Sequence, residues 1–314
     1  MLRRTGKPTL QAAICALQFL TRIPMPIQLD YTPALFRRSV VFYPFVGGVI
    51  GIILSAFAYG AGMILPVGPA AVLTLILWVA LSGGFHLDGW MDTADGLLSH
   101  RSPDKMLEIM KDSRVGAMGV MAAVLLLLAK ASFLTSLLSP VHLAGLTGQQ
   151  GMAGGSLSLT GGALALFAPS AQGGASAFLL LAVIPVWSRW WMVIGMAGWP
   201  YARKESGLGS LFREVGLRQA AGSALSAGMT TLLLTALYAI VLSPGESTSA
   251  LAILLTAFVL SAAALLIVFL VGWPFARAVH RKLGGLTGDI YGAMNEGLEA
   301  VLLLAALLFS VWFR

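Results

Sequence analysis

The chain has 314 residues, of which 58% are hydrophobic and 11% are charged, and its mean hydropathy is +0.86. Ordinary globular proteins carry about 25% charged residues, so this composition excludes a soluble domain. The net charge of +7 is spread over short polar segments, which argues against nucleic-acid binding. The single cysteine, Cys15, excludes both an internal disulfide framework and a cysteine-based zinc cluster.

Apolar runs predict seven membrane-spanning helices and a shorter helix near the N-terminus. A helix of about 20 apolar residues crosses a bilayer. Segment 9–21 follows a basic start but has no cleavage site, so we expect an uncleaved helix lying in the membrane interface. The spans are predicted at residues 39–63, 69–87, 116–138, 176–198, 220–243, 250–272 and 298–313. The expected fold is an all-α polytopic membrane protein that forms a single membrane domain over residues 1–314.

The basic residues orient this layout in the membrane. When alternate loops are counted from the N-terminal side, 17 of the 20 Lys and Arg residues fall on that side, and the exceptions are Lys130, Arg189 and Arg314. Cytoplasmic loops are rich in Lys and Arg. We therefore expect the N-terminus and the acidic segments described next to face the cytoplasm.

Nine of the 13 acidic residues lie in two short segments, 88–112 and 289–299. In the first, Asp88, Asp92 and Asp95 are spaced i, i+4 and i+7, so on a helix their carboxylates share one face. Like charges at this spacing repel one another, and a divalent cation would offset the repulsion. Mg²⁺ typically binds through a few carboxylates together with substrate phosphates. The spacing predicts a magnesium site, and the alternative is a solvated helix end.

Residues around the aspartates indicate a phosphate-containing substrate. Lys111 and Arg114 would lie on one helical face and clamp a phosphate, or they would simply mark the cytoplasmic end of a span. His86 is a candidate general base or a residue that orients an aspartate. The glycine-rich stretch 282–289, which ends at Asp289, would let backbone N–H groups approach an anion, or would form a plain turn.

Two basic residues, Lys130 and Arg189, lie inside predicted spans. Charges inside the membrane are costly, and by default they face a cavity that serves a function. The alternative is that each pairs with an acidic residue of a neighbouring helix.

Motifs along the whole sequence resemble those of the cobalamin synthase family, the adenosylcobinamide-GDP ribazoletransferases of the bacterial cytoplasmic (inner) membrane. The matching pieces are TRIPMP at 21–26, FYP at 42–44, GFHLDG at 84–89 followed by Asp92 and Asp95, MLEIMKDSR at 106–114, YAR at 201–203, GLG at 207–209, and GGLTGD at 284–289 followed by Glu296. Two departures are Ile290, where the family has Thr, and a longer glycine-rich stretch at 144–175.

This resemblance implies a reaction and a role for each candidate residue. Adenosylcobinamide-GDP would react with α-ribazole, or with its 5′-phosphate, to give adenosylcobalamin, or its 5′-phosphate, and GMP. Asp88, Asp92 and Asp95 would hold Mg²⁺ against the pyrophosphate. The residues expected to bind substrate phosphate are Lys111, Arg114, Lys130 and Arg189. The residues expected to assist deprotonation or to complete the site are His86, Asp112, Asp289 and Glu296, within cytoplasmic catalytic loops at about 86–115 and 273–297.

Two other classes of protein fit parts of the pattern. A lipid synthase similar to CDP-alcohol phosphotransferases also uses spaced aspartates. Its usual pattern has Ala-Arg after the first Asp-Gly-x-x and a longer gap before its last aspartate, whereas here Thr93 and Ala94 separate Asp92 from Asp95. A transporter is disfavoured because the sequence shows no repeated halves with broken midplane helices. The sequence leaves open the base of the lower ligand, the number of metal ions, and association with further copies or with other corrinoid enzymes.

Overall fold

The computed structural model describes residues 8–147, 175–203, 211–242 and 249–312, and these residues form an all-α bundle without a β-strand. The helices are α1 (Pro8–Leu20), α2 (Pro33–Ser39), α3 (Tyr43–Gly62), α4 (Val67–Ser82), α5 (Phe85–Leu97), α6 (Pro103–Ile109), α7 (Ala117–Thr147), α8 (Ala175–Gly198), α9 (Leu217–Leu242), α10 (Ala250–Leu283) and α11 (Gly288–Trp312). A 3-10 turn (Val40–Phe42) joins α2 to α3.

The predicted polytopic membrane fold is confirmed. Within the described ranges, six helical segments are long and apolar enough to cross a membrane, and a bent pair raises the number to seven if it counts as one span. The short apolar helix α1 is not among the spanning segments, and its place in the membrane interface stays a prediction. The sequence features that lie outside the described residues are Arg3, Arg4, Lys7, the stretch 148–174, Lys204, the motif at 207–209 and Arg314.

Two glycines separate α4 from the helix that carries the aspartates. Gly83 and Gly84 have φ angles of 65° and 73°, which glycine adopts without the steric penalty of a Cβ. The chain bends by 88° between α4 and α5. The predicted span 69–87 is therefore wrong at its end, because α5 leaves the direction of α4 and presents its aspartates on a separate helix.

The second acidic segment is helical, so the predicted loop at 273–297 is wrong. Helix α10 continues past Pro274 to Leu283 and ends at Gly284, whose φ is 76°. Helix α11 then begins at Gly288, well before the predicted start of the span 298–313. Only residues 284–287 connect the two helices. The predicted loop at 86–115 likewise contains α5 and α6.

Helix α8 is the enclosed centre of the bundle. Most residues of its spanning part, Ser176–Gly198, are buried, whereas most residues of α10 are at least partly exposed. Helix α3 approaches α8 closely, because a Cβ at Gly47 or Gly51 would lie 2.2 or 2.1 Å from a backbone oxygen of α8. Small residues allow such contact between membrane helices. Polar side chains on α8 must therefore find their partners inside the protein.

Candidate active site

Two glycines bring α5 against the first turns of α11. A Cβ at Gly89 would lie 2.6 Å from the backbone oxygen of Asp289, and a Cβ at Gly292 would lie 3.2 Å from the Cα of His86. The contact at Gly89 is closer than any side chain tolerates without a shift of the backbone. Asp289 therefore joins the aspartates of α5, from which it is remote in sequence.

The predicted aspartate face is confirmed as part of a single helix. Asp88 is exposed, whereas Asp92 and Asp95 are partly buried. The negative charges of Asp88, Asp289 and Asp95 all act on Asp92, and Arg203 acts in the opposite sense. A divalent cation with a preference for oxygen ligands would relieve this repulsion.

The carboxylates are not arranged as a finished metal site. Among the described residues, no group of three His, Cys, Asp or Glu side chains is close enough together to hold a metal ion. The donor chemistry and the excess negative charge around Asp92 fit Mg²⁺. The side-chain oxygens would have to turn towards one another to bind it.

Asp95 caps the next membrane helix. Its two carboxylate oxygens accept hydrogen bonds from the backbone N–H groups of Gly116 and Gly119, both at 2.8 Å. A Cβ at these glycines would lie 2.4 and 2.5 Å from the same carboxylate. A carboxylate satisfies the unpaired N–H groups and the dipole at a helix N-terminus. A metal ion bound by Asp95 would therefore share the carboxylate oxygens with the two N–H groups of this cap.

Arg203 forms an ion pair with Asp289 next to the aspartate face. The terminal Nη2 of Arg203 donates to Oδ2 of Asp289 at 2.5 Å and to the backbone oxygen of Met110 at 3.3 Å. The hydroxyl of Thr287 also donates to Oδ2 of Asp289, at 3.2 Å. The arginine and aspartate side chains are 17% and 22% exposed. This places a partly accessible cation beside the carboxylates.

A short backbone pairing positions Arg203. The N–H of Ala202 donates to the oxygen of Leu286, and the N–H of Leu286 donates to the oxygen of Pro200. A Cβ at Gly285 would lie 2.4 Å from that proline oxygen, so this connection between α10 and α11 requires glycine. Arg203 lies in the motif at 201–203, but no role in the site was predicted for it.

The predicted phosphate clamp lies on an irregular segment. Helix α6 ends at Ile109, so the expectation that Lys111 and Arg114 share a helical face is wrong. Arg114 donates to both carboxylate oxygens of Asp112, with Nε–Oδ1 and Nη2–Oδ2 distances of 3.0 and 2.7 Å. Hydrogen bonds from the side chain and backbone of Arg114 lower the pKa of Asp112 to about 2. A carboxylate with this pKa is a weak proton acceptor at neutral pH, so the structure does not favour Asp112 as a general base.

Lys130 and Arg189 form a buried ion cluster with two glutamates of α11. Nζ of Lys130 donates to Glu296 at 2.5 Å and to Glu299 at 2.7 Å, and Nη1 of Arg189 donates to Glu299 at 2.9 Å. None of these four side chains is more than 5% exposed. Both cations therefore pair with acidic residues of another helix, which was the alternative to a role in a functional cavity. Glu296 is enclosed with them rather than open to a substrate.

His86 links this ion cluster to α5. Its ring is buried, and its Nδ1 lies 3.2 Å from Nδ2 of Asn295, which also donates to Glu299 at 3.1 Å. An amide nitrogen only donates, so Nδ1 accepts and the proton of a neutral ring lies on Nε2. This contact orients α5 against α11 and occupies the nitrogen that a general base would use. No role was predicted for Asn295 and Glu299, although their i, i+4 spacing places them on one face of α11.

Comparisons with known proteins agree on one family. A family model described as cobalamin-5-phosphate synthase matches residues 12–153 and 145–307. A protein of Brevibacillus brevis named adenosylcobinamide-GDP ribazoletransferase is 37% identical over 305 residues, which cover 96% of this chain and 100% of the relative. Proteins with the same name from Desulfitobacterium hafniense and Shewanella amazonensis are 37% and 34% identical, and the matches cover 95% and 97% of this chain and 97% of each relative. The comparison with solved structures finds no match.

Proposed function

Since the chain belongs to the cobalamin-5-phosphate synthase family, we propose that it transfers the phosphocobinamide group of adenosylcobinamide-GDP to α-ribazole, or to its 5′-phosphate, and releases GMP. The names of its relatives support this activity. The observation that carries the proposal is the aspartate face of α5 lying against Asp289 and Arg203. A cluster of carboxylates beside one partly accessible cation suits a pyrophosphate bound together with a metal ion.

The aspartates supply the ligands that the reaction requires. Attack on a pyrophosphate and departure of GMP need the negative charge on the phosphate oxygens to be neutralised. When bound, Mg²⁺ would supply that neutralisation. Asp88 and Asp92 would hold it, together with Asp289 from the first turn of α11. Asp95 would add an oxygen as far as its cap on α7 allows.

Arg203 is the cation we assign to the leaving group. Its guanidinium is held by Asp289 and by the backbone oxygen of Met110, so it is preorganised rather than mobile. A guanidinium binds phosphate through two parallel N–H groups. Lys111 and Arg114 are exposed on the segment between α6 and α7, and we assign them to attraction of the anionic substrate rather than to the reacting atoms.

We also propose that the aspartate face is cytoplasmic, in a bacterial inner membrane. Nζ of Lys282 donates to the backbone oxygen of Leu97 at 2.9 Å, which brings the end of α10 beside the end of α5. The segment between α5 and α7 and the end of α10 are rich in basic residues, and cytoplasmic ends of membrane helices are rich in Lys and Arg. The basic residues concerned are Arg101, Lys105, Lys111, Arg114, Arg277, Arg281 and Lys282.

Release of GMP by the detergent-purified protein tests the proposed reaction. The protein would receive adenosylcobinamide-GDP and α-ribazole, with Mg²⁺ or with EDTA. We expect metal-dependent release of GMP together with the complete corrinoid. Asp92→Asn should reduce the rate at least about 100-fold, because it removes a charge that faces the metal. Asp104→Asn, an exposed aspartate of α6, is the matched control and should retain activity.

The same assay separates the proposal from its main rival. Folded protein that leaves adenosylcobinamide-GDP intact but consumes a CDP-activated lipid in the presence of Mg²⁺ would be a lipid synthase similar to CDP-alcohol phosphotransferases. GMP release that persists at full rate in EDTA, or in Asp92→Asn, would contradict the metal site on α5.

A further inference from the structure

An aromatic cleft opens next to the Arg203–Asp289 ion pair. It consists of two adjoining cavities of about 220 and 250 Å³. Both are lined by Met196, Tyr201, Phe212 and Tyr291. The smaller one extends past Phe85 and Phe19 to the side chains of the ion pair. The cleft therefore has largely aromatic walls that also include the side chain of Arg213, and the ion pair lies at one end of it.

The walls of the cleft form a connected set of rings. The ring centroid of Phe19 lies 5.9 Å from that of Phe85 and 5.4 Å from that of Phe212, and both pairs meet edge to face. The guanidinium of Arg213 lies 5.3 Å from the centroid of the Tyr201 ring. Phe85 is 40% exposed, although it begins the helix that carries the aspartates. A ring held open at this position can receive a flat ligand.

We propose that this cleft binds the aromatic base of the acceptor nucleoside, so that the ribose points towards the aspartates; the inference rests on the proposed function. Flat bases bind on aromatic side chains by stacking. The volume suits one bicyclic base and its sugar rather than a corrin macrocycle, because sites for drug-sized ligands already span about 300–1,000 Å³.

The lining favours the base of α-ribazole over the guanine of the other substrate. Guanine presents several donors and acceptors along its edges, which a buried site must match with polar groups. The only carboxylate among the described lining residues is Asp289, and it is bound to Arg203. A benzo-fused imidazole has a mostly apolar edge, so aromatic and methionine side chains suffice for it.

The position of the cleft gives the base a role in the reaction. Asp289 lines the cleft, and its charge acts on Asp92 of the aspartate face. A nucleoside whose base lies between Phe85 and Tyr201 would place its ribose at that charged end. The attacking hydroxyl would then meet a pyrophosphate held by the aspartates, which is the alignment that a displacement requires.

Binding of α-ribazole to the wild-type protein and to Phe85→Leu tests the proposal. Binding would be measured by isothermal titration in detergent without the second substrate, and KM for each substrate would be measured by GMP release. We expect Phe85→Leu to weaken α-ribazole binding and to raise its KM about tenfold, as for the loss of one stacking partner. KM for adenosylcobinamide-GDP and kcat at saturation should change less than about twofold.

Two further variants serve as controls. Phe45→Leu alters an aromatic residue of α3 with nearly the same exposure, 41%, and should change neither KM. Phe85→Tyr keeps a ring and should restore α-ribazole binding, which a general loss of folding would not allow.

The possible results separate the two proposals. A raised KM for adenosylcobinamide-GDP alone, or an unchanged KM for both substrates in Phe85→Leu, would overturn the assignment of the cleft while the proposed reaction stands. Binding of α-ribazole that depends on Phe85, in a protein that releases no GMP, would support the cleft and contradict the reaction.

Discussion

Glu299 connects more of the buried ion cluster than any other residue described in it. Its carboxylate accepts hydrogen bonds from Lys130 at 2.7 Å, from Arg189 at 2.9 Å and from Asn295 at 3.1 Å. It also lies 3.5 Å from the hydroxyl of Ser188. The substitution Glu299→Gln preserves the shape of the side chain and removes its charge. It therefore isolates the electrostatic part of the contact between α11 and its neighbours.

The expected loss of stability follows from which cation is left without a carboxylate partner. In the native cluster two cations face two carboxylates, and Glu299→Gln removes the carboxylate that pairs with Arg189, whereas Lys130 keeps its contact with Glu296. Removing one partner of a buried ion pair costs about 3–5 kcal/mol. Glu296→Gln is the matched control, because Glu296 pairs only with Lys130 among the contacts described. For the control we expect a smaller loss of about 1–3 kcal/mol.

Reversible unfolding in mixed micelles with rising dodecyl sulfate, followed by tryptophan fluorescence, measures both free energies of unfolding. The double variant Glu299→Gln with Arg189→Met removes the unpaired cation and keeps the Lys130–Glu296 pair, so it should recover part of the stability lost by Glu299→Gln. If Glu299→Gln is no less stable than Glu296→Gln, or if Arg189→Met brings no recovery, pairing of Arg189 with Glu299 is not what stabilises this part of the bundle.

Two further substitutions probe the site itself. Gly89→Ala places a Cβ 2.6 Å from the backbone oxygen of Asp289, so we expect a stability loss of about 1–3 kcal/mol and at least a tenfold slower release of GMP. Gly60→Ala is the control, because its Cβ would meet nothing within 4 Å. Normal activity in Gly89→Ala as well as in Gly60→Ala would contradict the close approach of α5 to α11. Asp112→Asn should leave the dependence of kcat/KM on pH unchanged between about pH 6 and 9, because hydrogen bonds from Arg114 hold the pKa of Asp112 at about 2. Any contribution of the Asp112–Arg114 pair to stability is present above the unfolded pKa of about 3.9 and is lost as the pH falls towards 2. If the acidic limb of the pH profile of kcat/KM disappears in Asp112→Asn, Asp112 is the general base after all.

The apolar runs and the aspartate spacing were sufficient to predict much of this architecture. Membrane spans are readable because a lipid environment demands long apolar helices. The common face of Asp88, Asp92 and Asp95 is readable because helical spacing is a local property. Both predictions need only residues that are close together in the sequence.

The features that escaped prediction depend on contacts between distant parts of the chain. The start of α11 was placed too late because Asp289, Glu296 and Glu299 interrupt its apolar pattern, and their charges are balanced by residues of α7, α8 and the segment after α8. Arg203 enters the site through a backbone pairing with residues far along the chain. No local pattern in the sequence reports such partners.

The ion cluster also sets an order for biosynthesis. Its cations lie on α7 and α8, whereas both carboxylates lie on α11, the last helix of the described chain. During insertion, Lys130 and Arg189 are therefore made before their partners exist, and an unpaired charge within lipid is costly. A nascent chain that stops short of α11 therefore has both cations without the carboxylates that pair with them in the complete bundle.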